Sequence, residues 1–567
     1  MLLEQYMKKL LVVLAALMSV NLLAACGTPT ETTTNNGAPS GALEISVLYG
    51  SEKKLWMDDV VKQFNAQQAK STSGKPIFVT ATAIGSNESL TQILNGQAQP
   101  TVWSPASGVL IPVANEQWAA AHGGAKLVDG TQTPLLLSPV VIAMWEPMAK
   151  ALGWPNTPIG WGDIAKLAAS GKQWADYGHP EWGPFQFGHT HPDYSNSGIV
   201  SILAEAYAAT GKTRDLTVAD VQKPETAAFI RDVESGVIHY GESTGFLSDQ
   251  MFNHGPGYLS AAVMYENLVV QSRDKTRYPN LSTQVVAIYP KEGTFWSDHP
   301  YAILNAPWVD AEKRAAAESF RTFLLQRPQQ ELALKYGFRP GDPNVAVGEP
   351  ISAANGVDPT QPQTLLEVPS AAVIDAVRAV WGQNKKRVDV MTVLDVSGSM
   401  SDENRMEQAK GALKTFIGQL ANDDGFGLTT FSSSATVVSP ISKLGEKRQQ
   451  MLDTIGGLFP QGGTRLYDTV GEAYTPLQAE PPGERIRAVV VLTDGEDTNS
   501  SGSLEQLVQQ IGKDEEGRSI KVFTIGFGAS ANKDVLKKIA EATGAKSYQA
   551  TDPASIERVY RDIATFF

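Results

Sequence analysis

The sequence predicts an α/β protein of two separately folded units, the second of which has a doubly wound, mostly parallel sheet. At 567 residues the chain exceeds the roughly 250 to 300 residues at which one hydrophobic core stops growing. Short apolar strands alternate with amphipathic helices along most of its length, which is the pattern of βα units. Composition also divides the chain, because all 11 tryptophans and all 7 histidines precede residue 382. We therefore expect a domain boundary close to that residue.

The first 42 residues have the composition of a secretion signal followed by a tether. The positively charged start Met7-Lys8-Lys9 and the apolar run 10–23 lead to Leu23-Ala24-Ala25-Cys26, which is the order found in signal peptides. Residues 1–26 are therefore predicted to be a signal, and the polar residues 27–42 a flexible tether. The segment ending at Cys26 resembles a bacterial lipobox, and this resemblance implies a lipoprotein with its lipid on Cys26. An ordinary secretory signal with an incidental cysteine is the alternative.

Composition and charge exclude several classes of function. Cys26 is the only cysteine, so an internal disulfide or a thiolate metal cluster cannot form. A net charge of −13 disfavours a nucleic-acid partner held through its phosphates. Downstream of the signal there is no apolar stretch of about 18 or more residues, so the lipid is the only anchor that the sequence indicates. The expected location is the cell membrane, lipid-anchored, facing the extracytoplasmic side in the periplasm or at the cell surface.

Residues 43–352 are predicted to form the first domain. Its phrases Leu48-Tyr49-Gly50-Ser51, Val102-Trp103-Ser104-Pro105 and Val263-Met264-Tyr265-Glu266-Asn267 resemble those of bacterial extracellular solute-binding proteins with the two-lobe, type II periplasmic-binding-protein fold. That resemblance implies two crossings between the lobes, near residues 135–142 and 285–289. Closure of such lobes about a hinge buries a ligand between them. Lobe one would combine residues 43–135 with 290–350, and lobe two would hold residues 140–285.

Small polar residues stand before several helices of this domain, where free N–H groups and the helix dipole attract an anion or a polar ligand. Plain N-capping is the alternative. Trp103 and Tyr265 could stack on a sugar ring or belong to the core, whereas an ionised Glu266 in the cleft would repel an anion. His189 and His191 could bind a metal, although no third ligand is near them in sequence. The candidate ligand-binding residues are Ser51, Ser86, Asn87, Ser104, Ser138, Ser197 and Tyr265.

A connector over residues 353–386, including a helix near 364–381, is predicted to join the first domain to a second one over residues 387–567. In the second domain, apolar strands alternate with helical segments, which predicts a parallel sheet covered on both faces. Ligands of such sheets lie at the carboxyl ends of the strands. The expected strands include 388–394, 425–431, 435–441, 486–492 and 521–527, and the last helix is expected at 556–566.

Oxygen donors stand in three segments of the second domain, each leading from a strand or loop into a helix. The segments are Asp395-Val396-Ser397-Gly398-Ser399, Gly462-Gly463-Thr464-Arg465-Leu466 and Thr493-Asp494-Gly495. A hard divalent cation takes about six oxygen ligands, which hydroxyls and carboxylates supply. Side chains two residues apart in an extended loop point the same way, so Asp395, Ser397 and Ser399 can converge. The alternative is that these residues only cap helices.

The same residues match the metal-ion-dependent adhesion site of the von Willebrand factor type A (VWA) family, whose pattern is D-x-S-x-S, then a threonine, then an aspartate. The resemblance implies a Rossmann-like VWA fold that binds Mg²⁺, or Mn²⁺ or Ca²⁺ in its place. It implies direct coordination by Ser397, Ser399 and Thr464, with Asp395 and Asp494 acting through water or hydrogen bonds. A partner protein would supply an acidic side chain to the ion.

The predicted function is binding rather than catalysis. No nucleophile stands beside a base in either half of the sequence, so we expect no catalytic residues and no enzymatic activity. The favoured hypothesis is a membrane-anchored protein that combines a solute-binding-like module with a cation-dependent protein-docking module. One alternative is the substrate-binding component of an ABC-type importer with an accessory VWA domain. The other is a surface adhesion or assembly factor with a ligand-free first domain.

Overall fold

The computed structural model describes residues 38–130, 132–169, 174–479, 485–512, 520–528, 530–564 and 566–567, with only the backbone of residue 554. The predicted signal, Cys26 and most of the predicted tether therefore lie outside the described residues. Within the described residues, no helix is both long enough and apolar enough to cross a membrane.

The first domain consists of two sheets with helices packed on them. Its strands are β1 (Leu43–Tyr49), β2 (Ile77–Ala83), β3 (Val102–Ser104), β4 (Leu136–Trp145), β5 (Phe187–Thr190), β6 (Val237–Gly241), β7 (Ala261–Tyr265), β8 (Val285–Ile288), β9 (Trp296–Ser297), β10 (Ala302–Ile303) and β11 (Arg339–Pro340). Its helices are α1 (Lys54–Ala66), α2 (Ser86–Leu94), α3 (Ile111–Ala121), α4 (Glu146–Ala151), α5 (Trp161–Ala169), α6 (Asn196–Thr210), α7 (Val218–Val221), α8 (Pro224–Glu234), α9 (Thr244–His254), α10 (Glu266–Gln271), α11 (Ala311–Leu324) and α12 (Arg327–Lys335).

The two sheets belong to two lobes that share the strand β4. The sheet of lobe one has the order β10-β3-β1-β2, and that of lobe two has the order β11-β4-β7-β5-β6, with β8 and β9 also paired to β4. The first half of β4 pairs with β11 and β9, and its second half pairs with β7 and β8. β4 and β8 thus lie where the sequence predicted the two crossings between the lobes.

A connecting helix, α13 (Ala371–Asn384), leads to the second domain. The predicted helix at residues 364–381 is wrong at its start. Thr294 donates its N–H to the Thr364 carbonyl over 3.1 Å and accepts from the Leu366 N–H over 2.9 Å, so this stretch is extended. Pro369 also disfavours a helix here, because the residue before a proline is kept out of the helical conformation.

The second domain has one twisted sheet with helices on both faces. Its strands are β12 (Arg387–Asp395), β13 (Gly425–Phe431), β14 (Ala435–Lys443), β15 (Arg485–Thr493), β16 (Lys521–Phe527) and β17 (Ser547–Ala550). Its helices are α14 (Arg405–Gln419), α15 (Arg448–Gly456), α16 (Leu466–Ala479), α17 (Leu504–Ile511), α18 (Lys533–Glu541) and α19 (Pro553–Ala564). The sheet has the order β14-β13-β12-β15-β16-β17, and it is parallel except for β14.

The alternation of side chains along the central strands explains the two helical layers. Val390 and Val490 belong to the apolar cluster that includes Phe416 of α14, whereas Val393 and Val491 belong to the cluster that includes Val470 of α16. Successive side chains of a strand point to opposite faces, and a strand covered on both faces is apolar throughout. The run of apolar residues in β15 therefore dictates a sheet buried on both sides.

Candidate functional site

The candidate metal centre lies at the carboxyl edge of the second sheet. β12 pairs with β13 on one side and with β15 on the other, so the strand order changes direction at β12. Asp395 is the last residue of β12, and Asp494 directly follows β15. Crevices at such a switch point are the usual ligand sites of doubly wound sheets.

Hydrogen bonds join four of the five predicted ligand residues into one chain. Asp395 accepts from the Ser397 N–H over 2.7 Å and from the Thr493 hydroxyl over 2.5 Å. Ser397 Oγ lies 3.0 Å from Ser399 Oγ, and the Ser399 hydroxyl donates to Asp494 Oδ1 over 2.7 Å. The oxygens of residues separated by about one hundred positions are thereby brought together.

Thr464, the fifth predicted ligand residue, is held beside these loops by backbone contacts. Gly398 N–H donates to the Gly462 carbonyl over 3.0 Å, and the Thr498 N–H donates to the Thr464 carbonyl over 2.8 Å. A β carbon placed on Gly495 would lie 3.7 Å from Thr464 Oγ1 and 3.8 Å from Ser399 Oγ. Both hydroxyls therefore face the same space above Gly495.

Helix capping does not explain Ser397. It occupies the residue before the short helical turn 398–404, but its side chain makes no capping hydrogen bond there. Its hydroxyl is directed at Ser399 instead. The spacing of Ser397 and Ser399 therefore brings their oxygens together rather than providing a helix cap.

Burying the ionised carboxylates of this site costs free energy unless a positive charge lies near them. Asp395 and Asp494 both have zero exposure. Burial raises the pKa of Asp395 to about 6, against the lowering effect of its hydrogen bonds from Ser397 and Thr493. Hydroxyl and carboxylate oxygens around two buried acids fit a hard divalent cation.

Arg405 is a residue of this site that sequence reasoning missed. Its Nη1 donates to Asp494 Oδ2 over 2.9 Å, and the side chain is 11% exposed. α14 begins at Arg405 directly after Glu403 and Asn404, which have the left-handed φ values of +50° and +60°. The tight turn after the D-x-S-x-S segment thus directs the first side chain of the helix towards the site.

Asp497 also contributes without having been predicted. Its Oδ1 accepts from the backbone N–H of Leu466 over 2.7 Å and from that of Tyr467 over 3.2 Å. The carboxylate therefore caps the first turn of α16 from another loop, and it fixes the chain just after Thr464. Its position three residues after Asp494 is the only local sign of this role.

In the first domain, the two lobes contact each other through groups that the sequence analysis assigned to a ligand. The N–H groups of Asn87 and Glu88, at the start of α2, donate to the Tyr194 carbonyl over 3.2 and 3.1 Å. A β carbon on Gly85 would lie 2.3 Å from the same oxygen, so glycine permits this approach. The positive end of α2 is therefore occupied by a carbonyl of lobe two.

A second hydrogen-bonded path crosses the cleft. The Ser107 hydroxyl of lobe one donates to Asn196 Oδ1 over 2.7 Å, and Asn196 Nδ2 donates to the Tyr265 hydroxyl over 3.0 Å. Trp103 and Tyr265 are both fully buried. Neither aromatic face is open for stacking on a sugar in this closed arrangement.

The remaining candidate residues of the cleft are mostly engaged inside the protein. Ser86 accepts from the Ala106 N–H over 3.0 Å, Ser138 lies 3.1 Å from Asn267 Oδ1, and Ser197 lies 2.7 Å from Thr190 Oγ1. Ser104 has zero exposure and its hydroxyl has no partner among the described residues. Ser51 accepts from the Gly245 N–H over 3.3 Å, and it also lines a cavity of about 620 Å³ between the lobes and α19.

Two other expectations for this domain need correction. Glu266 does not face the cleft as a free charge, because Arg339 donates to both of its oxygens over 2.8 and 2.6 Å. His189 and His191 do not form a pair of ligands. His189 Nε2 lies 2.9 Å from Glu234 Oε1, while His191 packs edge-on against the Trp381 ring at 5.0 Å.

The fold and the site together define a two-lobe binding-protein fold joined to a doubly wound domain of the VWA type. Residues 45–339 match the bacterial extracellular solute-binding protein family, and the chain belongs to that family. Residues 389–562 match the von Willebrand factor type A domain. The protein is thus an extracellular solute-binding domain fused to a VWA domain.

Similar proteins match only part of the chain. Inter-alpha-trypsin inhibitor heavy chain H4 of Sus scrofa is 26% identical over 33% of this chain and 21% of its own length. An uncharacterized protein of Borreliella burgdorferi is 30% identical over 29% of this chain and 46% of its own length. This chain thus covers less than half of either relative.

Solved structures resemble each domain in turn. A periplasmic thiamin binding protein aligns with 62% of this chain and 98% of its own, at 13% identity and a TM-score of 0.44. A von Willebrand factor type A protein from Catenulispora acidiphila aligns with 32% of this chain and 42% of its own, at 23% identity and a TM-score of 0.29.

Proposed function

We propose that this chain is a membrane-anchored, extracytoplasmic binding protein whose VWA domain docks a partner protein through a divalent cation. The observation that carries the proposal is the convergence of the Ser397, Ser399 and Asp494 oxygens at the switch point of the sheet. These three residues, with Thr464 and Asp395, would hold Mg²⁺, or Mn²⁺ or Ca²⁺. The bound ion would offer a coordination position to an acidic side chain of the partner.

The charges around the site favour an anionic partner group. The two buried carboxylates balance the charge of a divalent ion, and the Arg405 guanidinium beside Asp494 then leaves an excess of positive charge. An incoming carboxylate would neutralise that excess in a poorly hydrated place, where charge complementarity is strongest.

An exposed aromatic side chain stands beside the site. Phe459 is 65% exposed, and it lies two residues before Gln461, whose N–H donates to the Val396 carbonyl over 2.7 Å. Large exposed aromatics are frequent anchors of protein interfaces. Phe459 would bury its ring against the partner next to the ion.

The docking proposal can be tested with peptides in which one residue is aspartate. A displayed library of such peptides is panned on the full chain in Mg²⁺, and the bound clones are eluted with a chelator. We expect enriched peptides to lose binding when their aspartate becomes asparagine, and when Thr464→Ala is introduced in the protein. Phe459→Ala should weaken peptide binding about tenfold or more while Mg²⁺ binding stays unchanged. Peptide binding that persists in chelator, or that needs no acidic residue, would refute the proposal.

The cavity between the lobes and α19 supports a second role, in solute capture. It is lined by the charged groups of Glu88, Glu242, Arg561 and Asp562, so it suits a polar solute carrying charge. A solute-binding component of an importer would use this space. The hydrogen bonds between the closed lobes favour the other alternative, a first domain that serves as a scaffold.

Native mass spectrometry of the purified full chain distinguishes these roles. A co-purified small molecule would support solute capture, and its continued absence after incubation with candidate solutes would support a scaffold. The cavity is linked to the metal site through α19, which lines the cavity and packs on α14 through Tyr560 and Phe416, whose rings are 5.3 Å apart. If a solute binds, titration of the acidic peptide with and without it measures the coupling between the two domains.

Anchoring by lipid at Cys26 is tested separately. Cys26→Ser should move the protein from the membrane fraction to the soluble fraction of the cells that make it. A chain that stays in the membrane fraction after this substitution would contradict the lipid anchor.

A further inference from the structure

Lobe two contains a cluster of ionisable groups that the docking site does not use. His189 of β5, Glu205 of α6 and Glu234 of α8 each have zero exposure. One ligand atom from each of them, a ring nitrogen and two carboxylate oxygens, lies within 4.8 Å of the other two. Polar side chains from three separate elements thus converge at one buried point.

The hydrogen bonds of His189 require positive charge between it and Glu234. Its Nδ1 lies 2.8 Å from the Thr190 carbonyl, which can only accept, so Nδ1 carries a proton. Nε2 lies 2.9 Å from Glu234 Oε1. If the ring is neutral, Nε2 carries a lone pair and is an acceptor that faces a second acceptor, the Glu234 oxygen. Either a second proton or a metal ion must therefore lie between them.

Glu205 distinguishes between these two possibilities. Among the described residues, neither of its oxygens has a hydrogen-bond partner. Glu234, in contrast, accepts from the Tyr240 hydroxyl and, over 3.0 Å, from Trp381 Nε1. A proton on His189 would leave both oxygens of Glu205 unsatisfied at zero exposure, which is costly, whereas a metal ion would use them.

We propose that His189, Glu205 and Glu234 bind a divalent transition-metal ion, with Zn²⁺ as the ion that the donors fit best. One imidazole and two carboxylates are ligands that Zn²⁺ accepts. If Glu205 binds through both oxygens, the three residues supply four donor atoms. At zinc, ligand atoms that come from different residues lie about 3.3 Å apart, so the 2.9 Å gap between His189 Nε2 and Glu234 Oε1 needs to widen only slightly.

The ion would stabilise the junction between the two domains. Trp381, which donates to Glu234, belongs to the connecting helix α13. Tyr240, the other donor, gives its backbone N–H to the Phe566 carbonyl of the VWA domain over 3.3 Å. Metal ligands are commonly oriented by such outer hydrogen bonds, and here these bonds come from groups at the junction.

The experiment uses the untagged full chain with Thr464→Ala, which removes one of the proposed ligands of the VWA cation site. The protein is refolded with Zn²⁺, Mn²⁺ or chelator, dialysed, and analysed for bound metal by native and elemental mass spectrometry and for its unfolding temperature. We expect one retained ion per chain and a higher unfolding temperature with metal than with chelator. Glu205→Gln should abolish both effects.

A surface pair supplies the matched control. His179 Nδ1 lies 3.0 Å from Glu181 Oε1 in an exposed position, and His179→Ala should leave the metal content unchanged. The proposal is overturned if the parent chain retains neither Zn²⁺ nor Mn²⁺, or if His179→Ala lowers the metal content as much as Glu205→Gln does. Should Glu205→Gln fail to fold, the metal content of the parent chain and its response to chelator decide the question.

Discussion

Arg405 Nη1 donates a hydrogen bond to Asp494 Oδ2 over 2.9 Å, so a guanidinium lies against one of the two buried carboxylates of the candidate cation site. The Arg405 side chain has two opposing effects on cation binding. It holds Asp494 in place, and its charge repels the cation that the same carboxylate attracts. The balance of these effects can be measured by substitution.

Arg405→Met is expected to strengthen Mg²⁺ binding about three- to tenfold, because a positive charge near the ion is removed, worth roughly 1 kcal/mol after screening. Isothermal titration calorimetry at low and moderate salt measures the change, which should shrink as salt rises. Arg405→Lys keeps the charge and should keep the affinity. An unchanged or weaker affinity in a folded Arg405→Met protein would mean that the guanidinium acts mainly by orienting Asp494.

Gly495→Ala is expected to abolish cation binding without unfolding the domain. The added methyl group would lie at ordinary contact distance, 3.7 and 3.8 Å, from the Thr464 and Ser399 hydroxyls, in the space that those hydroxyls face. Calorimetry with Mg²⁺ and circular dichroism measure the two effects. The control is Gly411→Ala in α14, where an added β carbon meets nothing within 4 Å and should stabilise the helix by about 0.5–1 kcal/mol. Normal Mg²⁺ affinity in Gly495→Ala would place the ion elsewhere.

The contact between the lobes and α19 is expected to weaken as pH rises. Burial raises the pKa of Asp562 to about 8, with Glu242 and Glu88 as further causes. This pKa lies above that of an aspartate in the unfolded chain, which is about 3.9. The contribution of Asp562 to the free energy of unfolding is therefore fully present below pH 4 and is lost as the pH rises through 8. Asp562→Asn should remove this dependence. Unfolding temperatures at pH 6 and pH 8.5 measure it, and equal slopes in the two proteins would contradict the assignment.

Arg339→Met is expected to destabilise the first domain by about 3–5 kcal/mol, because it leaves the buried Glu266 carboxylate without its partner. Glu266 has zero exposure and Arg339 only 6%. The double variant Arg339→Met, Glu266→Gln should recover more than half of the loss, since the uncompensated charge is gone. Urea unfolding measures all three proteins. A double variant as unstable as the single one would mean that Arg339 acts through its packing on Trp296.

Features that depend on residues close together in the sequence were predicted correctly. The D-x-S-x-S segment is local, so its convergence followed from spacing alone, and β13 and β16 were placed at their observed bounds. β17 was missed because Ser547-Tyr548-Gln549-Ala550 is short and partly polar, as edge strands often are. Arg405 was missed because its partner is 89 positions away. The closed cleft depends on Tyr194, which no local pattern links to α2.

The position of α13 bears on how such a fusion can be cut and recombined. This helix packs on α6, α7 and α8 of lobe two, and its Trp381 supplies a hydrogen bond to Glu234. A breakpoint before residue 371 would strip lobe two of that donor and uncover its helices. A breakpoint after residue 384 keeps α13 and the Trp381 hydrogen bond with lobe two. A different second domain should therefore be joined after α13. Although this helix looks like a linker in the sequence, it packs as part of the solute-binding domain.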